Sequence, residues 1–236
     1  MEPLLAIDEL TYARTTATEP DERYFSLQVP QLRLFPGQAV GVVGPSGCGK
    51  STLVDLLALL RRPGKVARFA FLEHDLARVW EQNDLGACTA IRARHIGVVL
   101  QTGGLLPSLS VWENIVISQR LLGRHDSVLA KRLIEVLDIG GLDKRLPAQL
   151  SIGQRQRVAI ARALAHGPAL VIADEPTASL GVEHARAALE LLKSLTSEFG
   201  AGLIVVSHDA ELLERRGLQI WRCSADRGVT IVSCPQ

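Results

Sequence analysis

The run Gly44-Pro45-Ser46-Gly47-Cys48-Gly49-Lys50-Ser51 places glycines where a backbone must curl, then an ammonium and a hydroxyl. Glycine tolerates backbone angles that let successive N–H groups converge on one anion. The run fits G-x-x-x-x-G-K-[ST] at every fixed position, the pattern of a loop that cradles the phosphates of a nucleoside triphosphate. Lys50 would reach the β- and γ-phosphates and Ser51 would ligate Mg²⁺. Thr52 extends the candidate phosphate-binding set, which runs from Gly44 to Thr52. Cys48 reads as a small filler residue in this loop, not as a nucleophile.

A second chemical signal ends an apolar run. Ala169-Leu-Val-Ile-Ala173 closes on Asp174 and Glu175. A carboxylate at such a strand end can hold Mg²⁺ through water, and its neighbour can accept a proton from, or polarise, an attacking water. Asp174 is the candidate metal residue and Glu175 the candidate base. The chemistry these residues would support is hydrolysis of a nucleoside triphosphate with a magnesium ion.

These residues need elements to place them. Residues 24–34 alternate apolar and polar side chains, as a half-buried strand does. Residues 39–43, 169–173 and 202–207 are short apolar runs that suit strands buried on both faces, and residues 95–100 read as another strand. Residues 51–60 and 183–198 have helical spacing. Residues 66–95 read as a strand-and-helix insertion, and residues 104–165 are mostly helical. The tail from 219 reads as strands joined by a turn at Asp226-Arg-Gly228. The fold class expected is α/β, a mainly parallel sheet with polar residues gathered where its strands end.

Composition narrows the possibilities. The chain has 236 residues, enough to bury roughly 70–75% of the surface its unfolded form exposes. Its net charge is +1, from 26 basic and 25 acidic residues, which gives no basic surplus for a nucleic-acid face. No two of the four cysteines, Cys48, Cys88, Cys223 and Cys234, have C-x-x-C spacing, and they read as free thiols in a reducing compartment. The N-terminus carries acids where an export signal needs bases, and no apolar run approaches the roughly 20 residues of a membrane span. The expectation is a soluble protein that reaches a membrane only through a partner.

With these motifs in place, the chain resembles the ATP-binding cassette (ABC) family. Leu150-Ser-Ile-Gly-Gln-Arg-Gln-Arg157, followed by Val-Ala-Ile-Ala-Arg-Ala-Leu164, looks like the family's signature helix. Gln101 matches its Q-loop glutamine and His208 its switch histidine. The likeness runs from about residue 5 to about residue 215 in the family's order and spacing.

The resemblance implies one P-loop NTPase domain over residues 1–236. An antiparallel β subdomain would draw on about 1–40 and 66–95, a helical signature subdomain would cover about 104–165, and the remainder would form the core. It implies a head-to-tail homodimer in which Ser151, the N–H of Gly153 and Gln154 contact ATP bound to the other chain. Gln101 would sense the metal and the attacking water, and His208 would contact the γ-phosphate. Tyr12 is the best aromatic candidate for the adenine. The partners implied are separate membrane-spanning permease subunits at the cytoplasmic face of a bacterial inner membrane.

Two positions depart from the pattern: Ile152 replaces a glycine of the signature, and Gly181 stands where an aspartate is usual. Within the family, Gly104-Leu-Leu-Pro-Ser-Leu-Ser-Val-Trp-Glu-Asn114 and the block 176–180 look most like the lipoprotein-releasing, macrolide-export and cell-division group. An alternative within the same family is an ATPase that drives an envelope machine without carrying a solute.

Overall fold

The computed structural model of the chain describes residues 2–14, 25–178 and 181–234. Tyr24, Ser179 and Leu180, on which parts of the sequence reading fall, lie outside the described residues. In chain order the first elements are β1 (Leu5–Arg14), β2 (Phe25–Leu34), β3 (Ala39–Val43), α1 (Lys50–Leu57), β4 (Arg68–Phe71), β5 (His74–Asp75) and α2 (Leu76–Glu81). Then come α3 (Leu85–His95), β6 (Ile96–Val99), α4 (Val111–Leu121), α5 (Ser127–Val136), α6 (Ile152–Leu164), β7 (Leu170–Asp174) and α7 (Val182–Glu198). The chain closes with β8 (Gly202–Ser207), α8 (Ala210–Arg215), β9 (Gln219–Asp226) and β10 (Val229–Ser233). It divides into two compact units, residues 1–90 with 206–236, and residues 91–205.

In the first unit the strands run in the order β5-β4-β1-β2-β10-β9-β3. β1 pairs antiparallel with both β2 and β4, while β9 runs parallel to β3. The alternation read in residues 24–34 becomes a core face: Leu27, Val29, Leu32 and Leu34 are almost fully buried. Register sets them opposite Tyr12, Leu10, Ile7 and Leu5 of β1. β3 is apolar throughout and its Val40 and Val42 are fully buried, which explains why its sequence does not alternate.

α1 is shorter than the sequence suggested. It stops at Leu57 because Leu59 turns left-handed at φ 56° and the Leu60 N–H bonds back to the Asp55 carbonyl. This is the wrapped helix end that glycine usually makes. Here a leucine takes the position, and its burial compensates the strain of the turn.

In the second unit β6 and β7 run parallel with Ile96 opposite Leu170, and β8 lies beside β7. α6 packs so closely on β6 that a Cβ on Gly97 would lie 2.2 Å from the Ala163 carbonyl oxygen, so only glycine fits there. α4 opens on a capping box between Ser110 and Glu113. The Asn114 side chain, fully buried, then ties down the preceding loop. It donates to the carbonyls of Leu106, Leu109 and Ser110 and accepts from the Leu106 N–H.

His166, just after α6, is 6% exposed, and burial pushes its imidazole down to about 4. The backbone of Ile96 opposes that shift, while Arg124 and His95 add to it. An unfolded chain, with histidine near 6.5, therefore binds a proton between these values that the folded chain does not. Stability is full above about pH 6.5 and is lost as pH falls toward 4, with a limit of about 3 kcal/mol. Urea unfolding at pH 7 and pH 5 is expected to show a loss of about 2 kcal/mol that His166→Gln largely removes. An equal loss in the variant would assign the effect to other groups.

Candidate nucleotide loop and signature helix

In the first unit the phosphate loop leaves buried β3 and enters α1, as the sequence requires of it. Gly49 is the N-cap of α1 at φ 97°, and a Cβ there would lie 2.6 Å from the Phe25 ring. Both the backbone angle and the close ring demand glycine. Pro45, Ser46 and Gly47 are exposed, so their backbone faces solvent and any incoming anion. The Cys48 N–H donates to the Pro45 carbonyl at 3.3 Å, and the Cys48 carbonyl accepts from the Thr230 hydroxyl at 2.6 Å. Strand β10 thus anchors the loop from outside.

Lys50 is 8% exposed, and its Nζ donates to the carbonyls of Gly44 and Pro45 at 2.8 and 2.9 Å. The ammonium is therefore held over the loop. The positive end of α1 points the same way, and the Ser51 hydroxyl is exposed in its first turn with Thr52 half-buried beside it. Ammonium, helix dipole and hydroxyl suit a polyphosphate carrying a hard cation.

Tyr12 has a partner of its own. Its hydroxyl accepts from Arg61 at 2.8 Å, and the Arg61 guanidinium lies 5.2 Å from the ring centroid. The aromatic ring that touches the phosphate loop is Phe25, at the start of β2. The sequence reading did not single it out, because it appears there only as one apolar residue of an alternating strand. His208 is exposed immediately after β8, where the Ser207 hydroxyl accepts from the Asp209 N–H and Asp209 caps α8.

In the second unit Asp174 is the last residue of β7, and both it and Glu175 are half-buried. Glu175 has φ 47°, an uncommon angle for a residue with a side chain, and such strain collects where a group must be aimed. Asp174 and Gln101 carry side-chain oxygens, the kind of donor that magnesium prefers. No group of three or more His, Cys, Asp or Glu side chains among the described residues could hold a metal unaided. Magnesium in such sites is bound by one or two protein oxygens together with phosphates and water.

The signature region opens α6. Ser151 is its N-cap, with Oγ accepting from the Gln154 N–H and its own N–H donating to Gln154 Oε1. Ser151 and Ile152 are exposed and Gly153 has open space around it, so the first turn presents its N–H groups outward. A cavity of about 500 Å³ is lined by Ser151, Ile152, Gly153, Gln154, Gly181 and His184, among others. The two departures from the family pattern, Ile152 and Gly181, thus face the same space.

Gln101 is exposed two residues beyond β6. The loop after it is held by Arg162 of α6, whose guanidinium donates to the Gly104 and Gly103 carbonyls at 2.7 and 2.9 Å. Burial pushes Arg162 below the usual arginine range. The sequence reading included Arg162 only as one letter of the signature helix; its partners lie 58 and 59 residues away, a distance that no local pattern reports.

Comparison with known proteins agrees with this geometry. The sequence model of the family described as ABC transporter matches residues 27–178. The chain is 42% identical over 189 residues to a lipoprotein-releasing system ATP-binding protein LolD of Hyphomonas neptunium, covering 79% of this chain and 81% of that one. It is 37% identical over 193 residues to a methionine import ATP-binding protein MetN of Cupriavidus necator, covering 80% of this chain and 54% of that one. Among solved structures it superposes on the ATP-binding cassette MJ0796, a dimer in a post-hydrolysis state bound to ADP and Pi. That match has a TM-score of 0.78, 28% identity and 96% coverage of each chain. The chain belongs to the ABC transporter family and is an ATP-binding and ATP-hydrolysing subunit of it.

Proposed function

We propose that this ATPase powers a bacterial inner-membrane complex of the lipoprotein-releasing type, working from the cytoplasmic face on separate membrane-spanning subunits. The identity to proteins named LolD, at 36 to 42% over most of both chains, supports that placement. No helix among the described residues is long and apolar enough to cross a membrane, so the spanning segments are assigned to the partner.

In this reading the loop from Gly44 to Thr52 binds the phosphates, and Lys50 neutralises charge on the β- and γ-groups. Ser51, Gln101 and Asp174 are the residues that would hold Mg²⁺, which supplies further charge neutralisation on the phosphates. Glu175 accepts the proton of the attacking water, and His208 contacts the γ-phosphate. Ser151, the Gly153 N–H and Gln154 contact ATP bound to the second chain. Aromatic contact with the adenine is assigned to Tyr12 from the family resemblance.

The single observation that carries the proposal is the identity to proteins named LolD over most of both chains, and the capped, exposed first turn of α6 supports a contact with nucleotide on a second chain. The experiment is Mg²⁺-dependent phosphate release by the purified chain, alone and co-purified with its membrane subunit. Turnover that rises severalfold with the membrane subunit and with a lipoprotein substrate supports a releasing motor. Stimulation by the membrane subunit but not by a lipoprotein favours the envelope-machine reading.

A further inference from the structure

The nucleotide loop carries a thiol, and the fold brings it against a second one 175 residues later in the chain. Cys48 and Cys223 are both 3% exposed and both free. Both side chains lie beside the backbone of Gly44. They meet across Gly44: a Cβ on that residue would lie 2.8 Å from Cys48 Sγ and 2.9 Å from Cys223 Cβ, so those two atoms are less than about 6 Å apart. In a disulfide the corresponding separation is about 3 Å. A shift of a few ångströms in the loop would close the bond.

We propose that Cys48 and Cys223 form a reversible disulfide under peroxide, and that this bond switches off the nucleotide loop. The oxidant is a peroxide, taken here as H₂O₂. Cys48 thiolate attacks one peroxide oxygen, giving Cys48 sulfenic acid and releasing hydroxide. The Cys223 sulfur then displaces the sulfenic hydroxyl, and the thiol proton leaves with it as water. The two thiols lose two electrons and the peroxide is reduced to two waters.

The order of steps follows from the surroundings. Burial pushes the Cys223 thiol up to about 12, with Lys50 opposing only weakly, so Cys223 stays protonated at neutral pH. That leaves Cys48 as the first nucleophile and Cys223 as the resolving partner. This revises the reading of Cys48 as an inert filler.

The consequence for the loop is steric. Cys48 lies between Gly47 and Gly49, whose backbone must face the phosphates, and its carbonyl is pinned by Thr230. Drawing its sulfur toward β9 tilts the peptide groups on either side away from the anion. Gly44 has no room to yield, since the Cys223 carbonyl oxygen would lie 2.5 Å from any Cβ placed on it. Loss of turnover rests on the ATPase assignment; formation of the bond does not.

The test treats the purified full chain with H₂O₂ and maps its disulfides in non-reducing digests by mass spectrometry. The expected product is a peptide pair joined through Cys48 and Cys223, with turnover reduced at least about tenfold and restored by dithiothreitol. Cys223→Ala is expected to keep its basal turnover and to lose the reversible inactivation, whereas Cys234→Ala keeps it. MgATP present during treatment is expected to slow the crosslink. A bond joining Cys223 to Cys234, or an inactivation that Cys223→Ala shares with the unsubstituted chain, overturns the proposal. If the Cys48–Cys223 bond forms in a chain that never hydrolysed ATP, the ATPase assignment fails while the thiol pairing stands.

Discussion

Glu175→Gln is expected to bind ATP with unchanged affinity and to hydrolyse it at about one-hundredth of the normal rate or less. The exchange keeps the length and shape of the side chain while removing its negative charge and its capacity to take a proton. Positioned general bases contribute about 10²–10⁴ in rate, which sets the lower bound on the loss. A hundredfold change is about 2.7 kcal/mol of transition-state stabilisation. Glu175 sits at φ 47°, one residue past a strand whose Leu170 to Ala173 are fully buried, so the backbone that aims it is fixed from one side by the core. Glutamine tolerates that angle about as well as glutamate, and the unfolding midpoint should not move. Phosphate release and equilibrium binding of a fluorescent ATP analogue would be measured together. Normal turnover in the variant would remove Glu175 from its assigned role and direct attention to His208.

Lys50→Ala is expected to fail one step earlier, at binding. A hydrogen bond to a charged group contributes about 1.5–3 kcal/mol, so loss of the ammonium should weaken ATP affinity by about tenfold to 150-fold. The structure adds a second reason. Lys50 Nζ spans the carbonyls of Gly44 and Pro45, so alanine removes two bonds that hold the loop's own curvature. Lys50→Met loses the same two bonds but keeps the buried stem, so it separates the ammonium from the packing of the stem. Weakening of similar size in both variants, with unchanged melting, assigns the effect to the ammonium. Unaltered affinity in both would mean that Lys50 does not contact phosphate.

The parts of the fold that sequence patterning makes legible are those where burial acts on consecutive residues. β3, β7 and β8 are covered on both faces, so their apolar runs are visible without any neighbour. β2 is legible because one of its faces is core and period two follows. The end of α1 is not, because a buried leucine takes the left-handed turn that a reader looks for in glycine. The same limit applies around the site. The spacing from Gly44 to Ser51 is local and therefore readable, but the contact of Cys48 with Cys223 depends on β9 pairing with β3. Phe25 against Gly49 and Arg162 against Gly103 and Gly104 are likewise products of packing between distant segments. The structural duty of Asn114 was hidden inside a stretch read for its helical pattern and its resemblance.

The Arg162 contact has a mechanical meaning. A partly buried guanidinium that donates to two backbone carbonyls gives up two charged hydrogen bonds if that segment moves away from it. The segment after Gln101 is therefore geared to α6. A displacement of either partner therefore acts first on those two bonds, which join residues 103 and 104 to the last turn of the helix capped by Ser151.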